Sequence, residues 1–212
     1  MRRSSRRPAG PDRVLLRRAA RLFLRGIGET DLGRDRLRTP DRFADAWSDE
    51  ILSGYRADPA RILATGFVSK ERGMVLVRDI PFVSVCVHHL LPFHGVAHVG
   101  YIPRGRLVGL SKITRAVDAL SHRLQLQERL TGQVVKVLHS ALRPAGAACR
   151  MEAEHLCMTI RGARKRGAKV VTVAYTGTFN RSAALRAEFL RLIGASGNAI
   201  GEGPGVVDSP SR

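Results

Sequence analysis

Cysteine and histidine crowd one short stretch of this chain. Ser84-Val85-Cys86-Val87-His88-His89 sets a thiol and an imidazole three residues apart, a spacing at which one tight turn aims both at a single ion. Far downstream, Glu154-His155-Leu156-Cys157 places His155 and Cys157 two apart in an alternating segment, which on a strand points them to one face. Together the two segments offer two sulfurs and up to three imidazoles. Three protein donors with a position left for water is the arrangement of a hydrolytic zinc centre. A closed structural site would bring four donors in two compact knuckles, and the second knuckle is missing. The opposing reading makes Cys86 an ordinary buried cysteine, and spacing alone leaves the two level. Cys149, in Ala147-Ala148-Cys149-Arg150, has no histidine nearby and reads as packing.

Composition narrows the class. A chain of 212 residues with 44% hydrophobic content suits one soluble domain with a full core. No apolar run reaches the length of a membrane span, and the basic segment Met1–Arg7 is followed by no apolar core of a secretory signal. Three cysteines, two of them in metal-like contexts, fit a reducing compartment better than a disulfide framework, so the cytoplasm is expected. The net charge of +18 invites nucleic acid or a polyanionic small molecule such as a nucleotide. Aromatic content of 5% is too low for an obvious base-stacking platform, which disfavours nucleic acid.

The elements that must position these residues follow from hydrophobic period. Residues 1–10 read as a disordered basic arm, 11–195 as one domain, and 196–212 as a disordered Gly/Ser/Pro-rich tail. Within the domain, 11–60 carry N-terminal helices and 61–195 the remainder. Asp12 is an N-cap for a helix to about Gly26 with Leu15, Leu16, Ala19, Leu22, Phe23 and Ile27 on one face. Thr39-Pro40 opens a second helix, with Arg42 in its first turn. Strands are expected at 74–78, 83–87 and 94–101, then a helix from Ser111 and another from about Gln125 to Leu142. Ser111, Lys112 and Arg115 sit at a helix start, where free N–H groups and cations together suggest an anion site; solvated charge is the equal alternative. Cys149 to Arg161 alternates as a strand, 170–175 returns, and 183–193 is a closing helix. His94 and His98 lack ligand-like companions and read as structural. Clustered strands without βαβ alternation predict an α+β fold with an antiparallel sheet.

These blocks have a familiar order. Cys86-Val87-His88-His89, Gly109-Leu110-Ser111-Lys112-Ile113-Thr114-Arg115, Gln125-Leu126-Gln127-Glu128-Arg129-Leu130-Thr131 and Glu154-His155-Leu156-Cys157 resemble the GTP cyclohydrolase I family over roughly residues 13–195. The resemblance implies the tunnelling fold, a four-stranded antiparallel sheet backed by two helices, in a toroidal homo-oligomer that in the family is usually a decamer with sites between subunits. It implies that Cys86, His89 and Cys157 hold zinc and that His88 and His155 are catalytic. Glu128 and Gln127 match residues that hold the guanine; Ser111, Lys112, Arg115, Arg161 and Arg42 match groups around the ribose and triphosphate. The implied reaction is hydrolysis of GTP at C8, with loss of formate and ring closure to 7,8-dihydroneopterin triphosphate. Val87 stands where the family usually has Glu, and Asp45 where it often has Lys. Asp45, three residues after Arg42, is expected to share its face and pair with it. These departures leave room for a paralogue with an altered nucleotide or a ring-opened product, and a basic nucleic-acid module with structural zinc is the reading from another class.

Overall fold

Alternation through residues 75–102 builds the long hairpin that carries the cysteine–histidine segment. In the computed structural model, which describes residues 10–29 and 33–194, β2 (Val75–Cys86) pairs antiparallel with β3 (Pro92–Ile102). β3 pairs with β6 (Gly146–His155), and β6 with β7 (Lys169–Gly177), both antiparallel. β5 (Leu124–Gln125) adds a two-residue parallel ladder to the end of β2, giving the order β5-β2-β3-β6-β7. β1 (Phe67–Val68) and β4 (Arg106–Leu107) form a separate small ladder. The α+β class with a largely antiparallel sheet is as expected; the sheet has five strands, of which β5 is too short to leave a period in the sequence.

Two boundaries differ from the sequence reading. The expected break after Arg78 is a β-bulge between Val77 and Ile80 with Asp79 at φ 54°, so one strand continues and Ile80 and Phe82 return to the core face. α2 (Gly33–Asp45) begins before Thr39 and contains Pro40, at the cost of one i→i−4 hydrogen bond. The expected tail over 196–212, and the expected arm apart from Gly10, lie outside the described residues.

α4 (Leu110–Ser121) and α5 (Gln127–Leu142) cover one face of the sheet. Ile113, Ala116, Val117 and Leu120 on α4, with Leu130, Val134, Leu138 and Leu142 on α5, recur at helical spacing and pack on Phe82, Phe93, Ala97, Val99, Tyr101 and Met151. Each large side chain buried there contributes about 1.5–3 kcal/mol, so this layer dominates the hydrophobic stabilisation. Ala148, Phe179 and Phe189 form a smaller second cluster with α7 (Thr178–Arg181) and α8 (Ala183–Gly194). Gly95 is required where β3 meets β6: a Cβ there would fall 1.9 Å from the Glu152 carbonyl oxygen. This close register sets Phe93 opposite His155.

α1 (Arg13–Gly26) is capped by Asp12, whose side chain accepts from Val14 N and Leu15 N. Leu15, Leu22, Phe23 and Ile27 of its apolar face remain exposed. Asp45 receives the guanidinium of Arg13, which ties α1 to α2. The Asp45 carboxylate is therefore committed to α1, an arrangement the helical spacing from Arg42 does not reveal. A π-helical turn (Ala46–Ile51), a 3-10 turn (Ser53–Tyr55) and α3 (Pro59–Leu63) lead into the sheet.

His98 is buried on β3 and accepts a hydrogen bond from Asp79 N at 3.3 Å. Burial pushes its pKa below the usual value; Asp79 and Glu152 pull it up, and Arg150 and Arg78 push it down. A group with a depressed cationic pKa destabilises the fold as pH falls through its unfolded pKa of about 6.5, by at most about 1.4 kcal/mol per pH unit. His98→Gln keeps the acceptor for Asp79 N and removes the titration. The variant is expected to lose less stability than the parent between pH 7 and pH 5, as read by urea midpoints; an equal loss would assign the pH dependence to other groups.

Candidate metal centre and active site

The chain turns as soon as β2 ends. Leu90 N donates to Cys86 O and Cys86 N to Leu91 O, each at 2.9 Å, with Leu90 left-handed at φ 54°. Val87 N donates to Gln125 O at 3.1 Å and pins this turn to β5. The result sets Cys86 Sγ 3.9 Å from His89 Nδ1.

Cys157 arrives differently from the sequence expectation. β6 stops at His155, and Cys157 lies in the short helical turn α6 (Leu156–Thr159), so the strand does not continue to Arg161. The reason is a shortage of neighbours: β7 reaches β6 only as far as Lys169 opposite Glu154, and the β3 ladder ends at Phe93 opposite His155. The donor atoms of Cys86, His89 and Cys157 nonetheless lie within 4.8 Å of one another, the one such group among the described residues.

This donor set fits zinc. Tetrahedral bonds of about 2.3 Å to sulfur and 2.0–2.1 Å to nitrogen put S and N about 3.6 Å apart, a few tenths below the separation seen. Burial raises the pKa of the Cys157 thiol, the nearby Cys86 raises it further, and Arg161 opposes both. A thiol whose ionisation is opposed in this way gains most from a divalent cation, which binds it as the thiolate. Cys86, His89 and Cys157 make up the whole group among the described residues, and three protein donors are the number that catalytic zinc sites use.

His155 ends β6, two residues before Cys157, and is held on two sides. Its ring stacks on Phe93 with centroids 4.4 Å apart and planes within 4°. Its Nε2 lies 2.7 Å from Gln127 Oε1. Burial pushes its pKa below the usual histidine range, and the charge of Glu128 pulls the other way. His88 is exposed on the turn, its ring 6.2 Å from that of His89.

The remaining residues carried over by resemblance fall into two groups. Glu128 is exposed at the start of α5, close enough to act on His155, whereas Gln127 is buried with its amide engaged inside the protein. Ser111 and Arg115 are exposed and Lys112 half-buried at the start of α4; Arg161 is exposed beyond α6. Ser111, Lys112 and Arg115 make no side-chain hydrogen bond or ion pair to the cysteine–histidine cluster among the described residues. Lys112, Arg115 and Arg161 have no acidic partner there either, unlike Arg13, Arg56 and Arg150. Arg42 is exposed on α2. Sequence reasoning misses Phe93, Thr131 and Thr172 as parts of the site. Phe93 is visible only once strand register is known, and the threonines only through their contact with Gln127.

Cys149 lies fully buried in the core, and burial pushes its thiol far above the ordinary range. Cys149→Ala is expected to leave bound zinc unchanged while costing about 1–2 kcal/mol from the small cavity. Metal analysis beside a urea melt checks both; a loss of zinc would contradict the assignment.

The family profile described as GTP cyclohydrolase I matches residues 16–194. The GTP cyclohydrolase 1 of Thermobifida fusca is 49% identical over 189 residues, covering 88% of this chain and 90% of that protein. Its counterpart from Halalkalibacterium halodurans is 48% identical over 184 residues, covering 86% and 97%. That from Caldanaerobacter subterraneus is 46% identical over 183 residues, with the same coverage of 86% and 97%. The chain belongs to the GTP cyclohydrolase I family.

Proposed function

We propose that the protein is a zinc-dependent GTP cyclohydrolase I, which hydrolyses GTP at C8, releases formate and closes the ring of 7,8-dihydroneopterin triphosphate. The observation that carries this reading is the convergence of Cys86, His89 and Cys157 in a chain of that family. Cys86, His89 and Cys157 would hold the ion, whose Lewis acidity makes a water nucleophile accessible near neutral pH.

The other steps belong to the chain's own groups. His155 and His88 take and return the protons of ring opening, a task suited to imidazole at neutral pH. Glu128 accepts from the guanine N1–H and 2-amino group, a pattern adenine cannot satisfy without leaving a polar group unpaired. Lys112, Arg115, Arg161 and Arg42 neutralise the triphosphate, with Ser111 beside the ribose or phosphates. The cysteines are free thiols, and no helix among the described residues is long and apolar enough to cross a membrane. A reducing cytoplasmic setting suits thiolate ligands.

The reading includes a toroidal homodecamer of the tunnelling fold. The exposed apolar face of α1, the outer edge of β7, unpaired among the described residues, and the edge of β2, which pairs there only with β5, support a high-order assembly, since open edges and apolar stripes favour association. Sedimentation of active enzyme is expected to show a decamer, and a fully active monomer would overturn that part. For the reaction, the zinc-loaded protein is expected to release formate from GTP and none from ATP. Formate-free incubation with GTP would refute the assignment.

A further inference from the structure

Gln127 matches a guanine-holding residue of the family, yet its side chain is only 1% exposed and its hydrogen-bonding capacity is spent inside the protein. Its Nε2 donates toward Val170 O at 2.9 Å, Thr172 Oγ1 at 3.1 Å and Met151 O at 3.3 Å. Turning the amide over would set its oxygen against two carbonyl oxygens, so the network fixes which end is nitrogen. The hydroxyls agree. Thr131 Oγ1 donates to Gln127 O at 2.8 Å, which spends its one proton. Thr172 Oγ1, 2.6 Å from Thr131 Oγ1, must then donate to Thr131 and accept from Gln127.

With nitrogen placed toward β6 and β7, Gln127 Oε1 is the end that faces His155 Nε2 at 2.7 Å. An amide oxygen only accepts, so Nε2 carries the proton. The stack on Phe93 holds the ring plane, and flipping the ring would break the bond to Gln127. His155 Nδ1 has no hydrogen-bond partner among the described residues.

The geometry points to Gln127 as a positioning residue that locks His155 in the Nε2–H tautomer and so makes Nδ1 the nitrogen that exchanges protons with the substrate. Nδ1 takes a proton through its lone pair to give the imidazolium, which Gln127 Oε1 continues to accept from, and returns that proton to restore the neutral ring. The part played in GTP turnover rests on the function proposed above, whereas the tautomer does not. Guanine recognition is left to Glu128, which is exposed.

Nitrogen NMR of holoenzyme labelled with ¹⁵N-histidine tests this, at a pH well above the ordinary imidazole pKa of about 6.5. The His155 signals, identified by their loss in His155→Asn, are expected to show Nε2 protonated and Nδ1 bare. A protonated Nδ1 in the parent protein would overturn the assignment without recourse to a Gln127 variant. Gln127→Met is expected to release the ring to a mixture of tautomers and to lower kcat about tenfold or more with KM for GTP within about threefold. Thr172→Val, which removes one anchor of the amide, is expected to act in the same direction with a smaller effect. A raised KM with kcat retained in Gln127→Met would return Gln127 to the guanine and overturn the positioning role. If the parent shows the expected tautomer but yields no formate from GTP, the functional reading fails and the tautomer assignment stands.

Discussion

Cys157→Ala is expected to empty the metal site and abolish turnover while the fold persists. Three donors hold the ion, and removing one of two thiolates leaves a thiol and an imidazole from a single turn. Loss of a mere outer-shell partner of a metal ligand costs about 10–100-fold in affinity, so loss of a ligand should cost on the order of 100-fold or more. The fold should survive, because Cys157 sits at the margin of the core and not within the layer under α4 and α5. Metal analysis after dialysis, with circular dichroism and a urea melt in parallel, reads both effects. Full zinc in a folded Cys157→Ala protein would remove Cys157 from the ligand set.

His155→Asn should give the second large effect. A positioned acid or base contributes about 10²–10⁴-fold, and that is the expected fall in kcat. KM for GTP and zinc content should change little, since His155 belongs to neither the ligand set nor the phosphate-binding cations. A fall in kcat without a change in KM marks a group that acts in the transition state. Loss of the stack on Phe93 adds a stability cost of about 0.5–1.5 kcal/mol, measurable separately. Retained kcat with weakened GTP binding would make His155 a binding residue.

Those parts of the fold and site that depend on local geometry are legible in the sequence. Cys86 and His89 meet through one tight turn, and a three-residue spacing is enough to propose it. The buried stripes of α4 and α5 follow from period alone. Features set by neighbours are not legible. β6 ends at His155 because its partner strands end there, a fact carried by residues 92–93 and 169, not by Leu156 or Cys157. The run Arg78-Asp79 looks like the end of a strand, and only pairing across the bulge keeps β2 whole. Residue type marks Gln127 as a hydrogen-bonding group; register with Val170 and Thr172 decides what it bonds to.

The most direct test of the central claim is mass spectrometry of what the zinc-loaded protein makes from GTP. Formate and 7,8-dihydroneopterin triphosphate are expected in equal amounts, with neither formed by Cys157→Ala. Unchanged GTP, or a ring-opened nucleotide that keeps its formyl carbon as the final product, would contradict it.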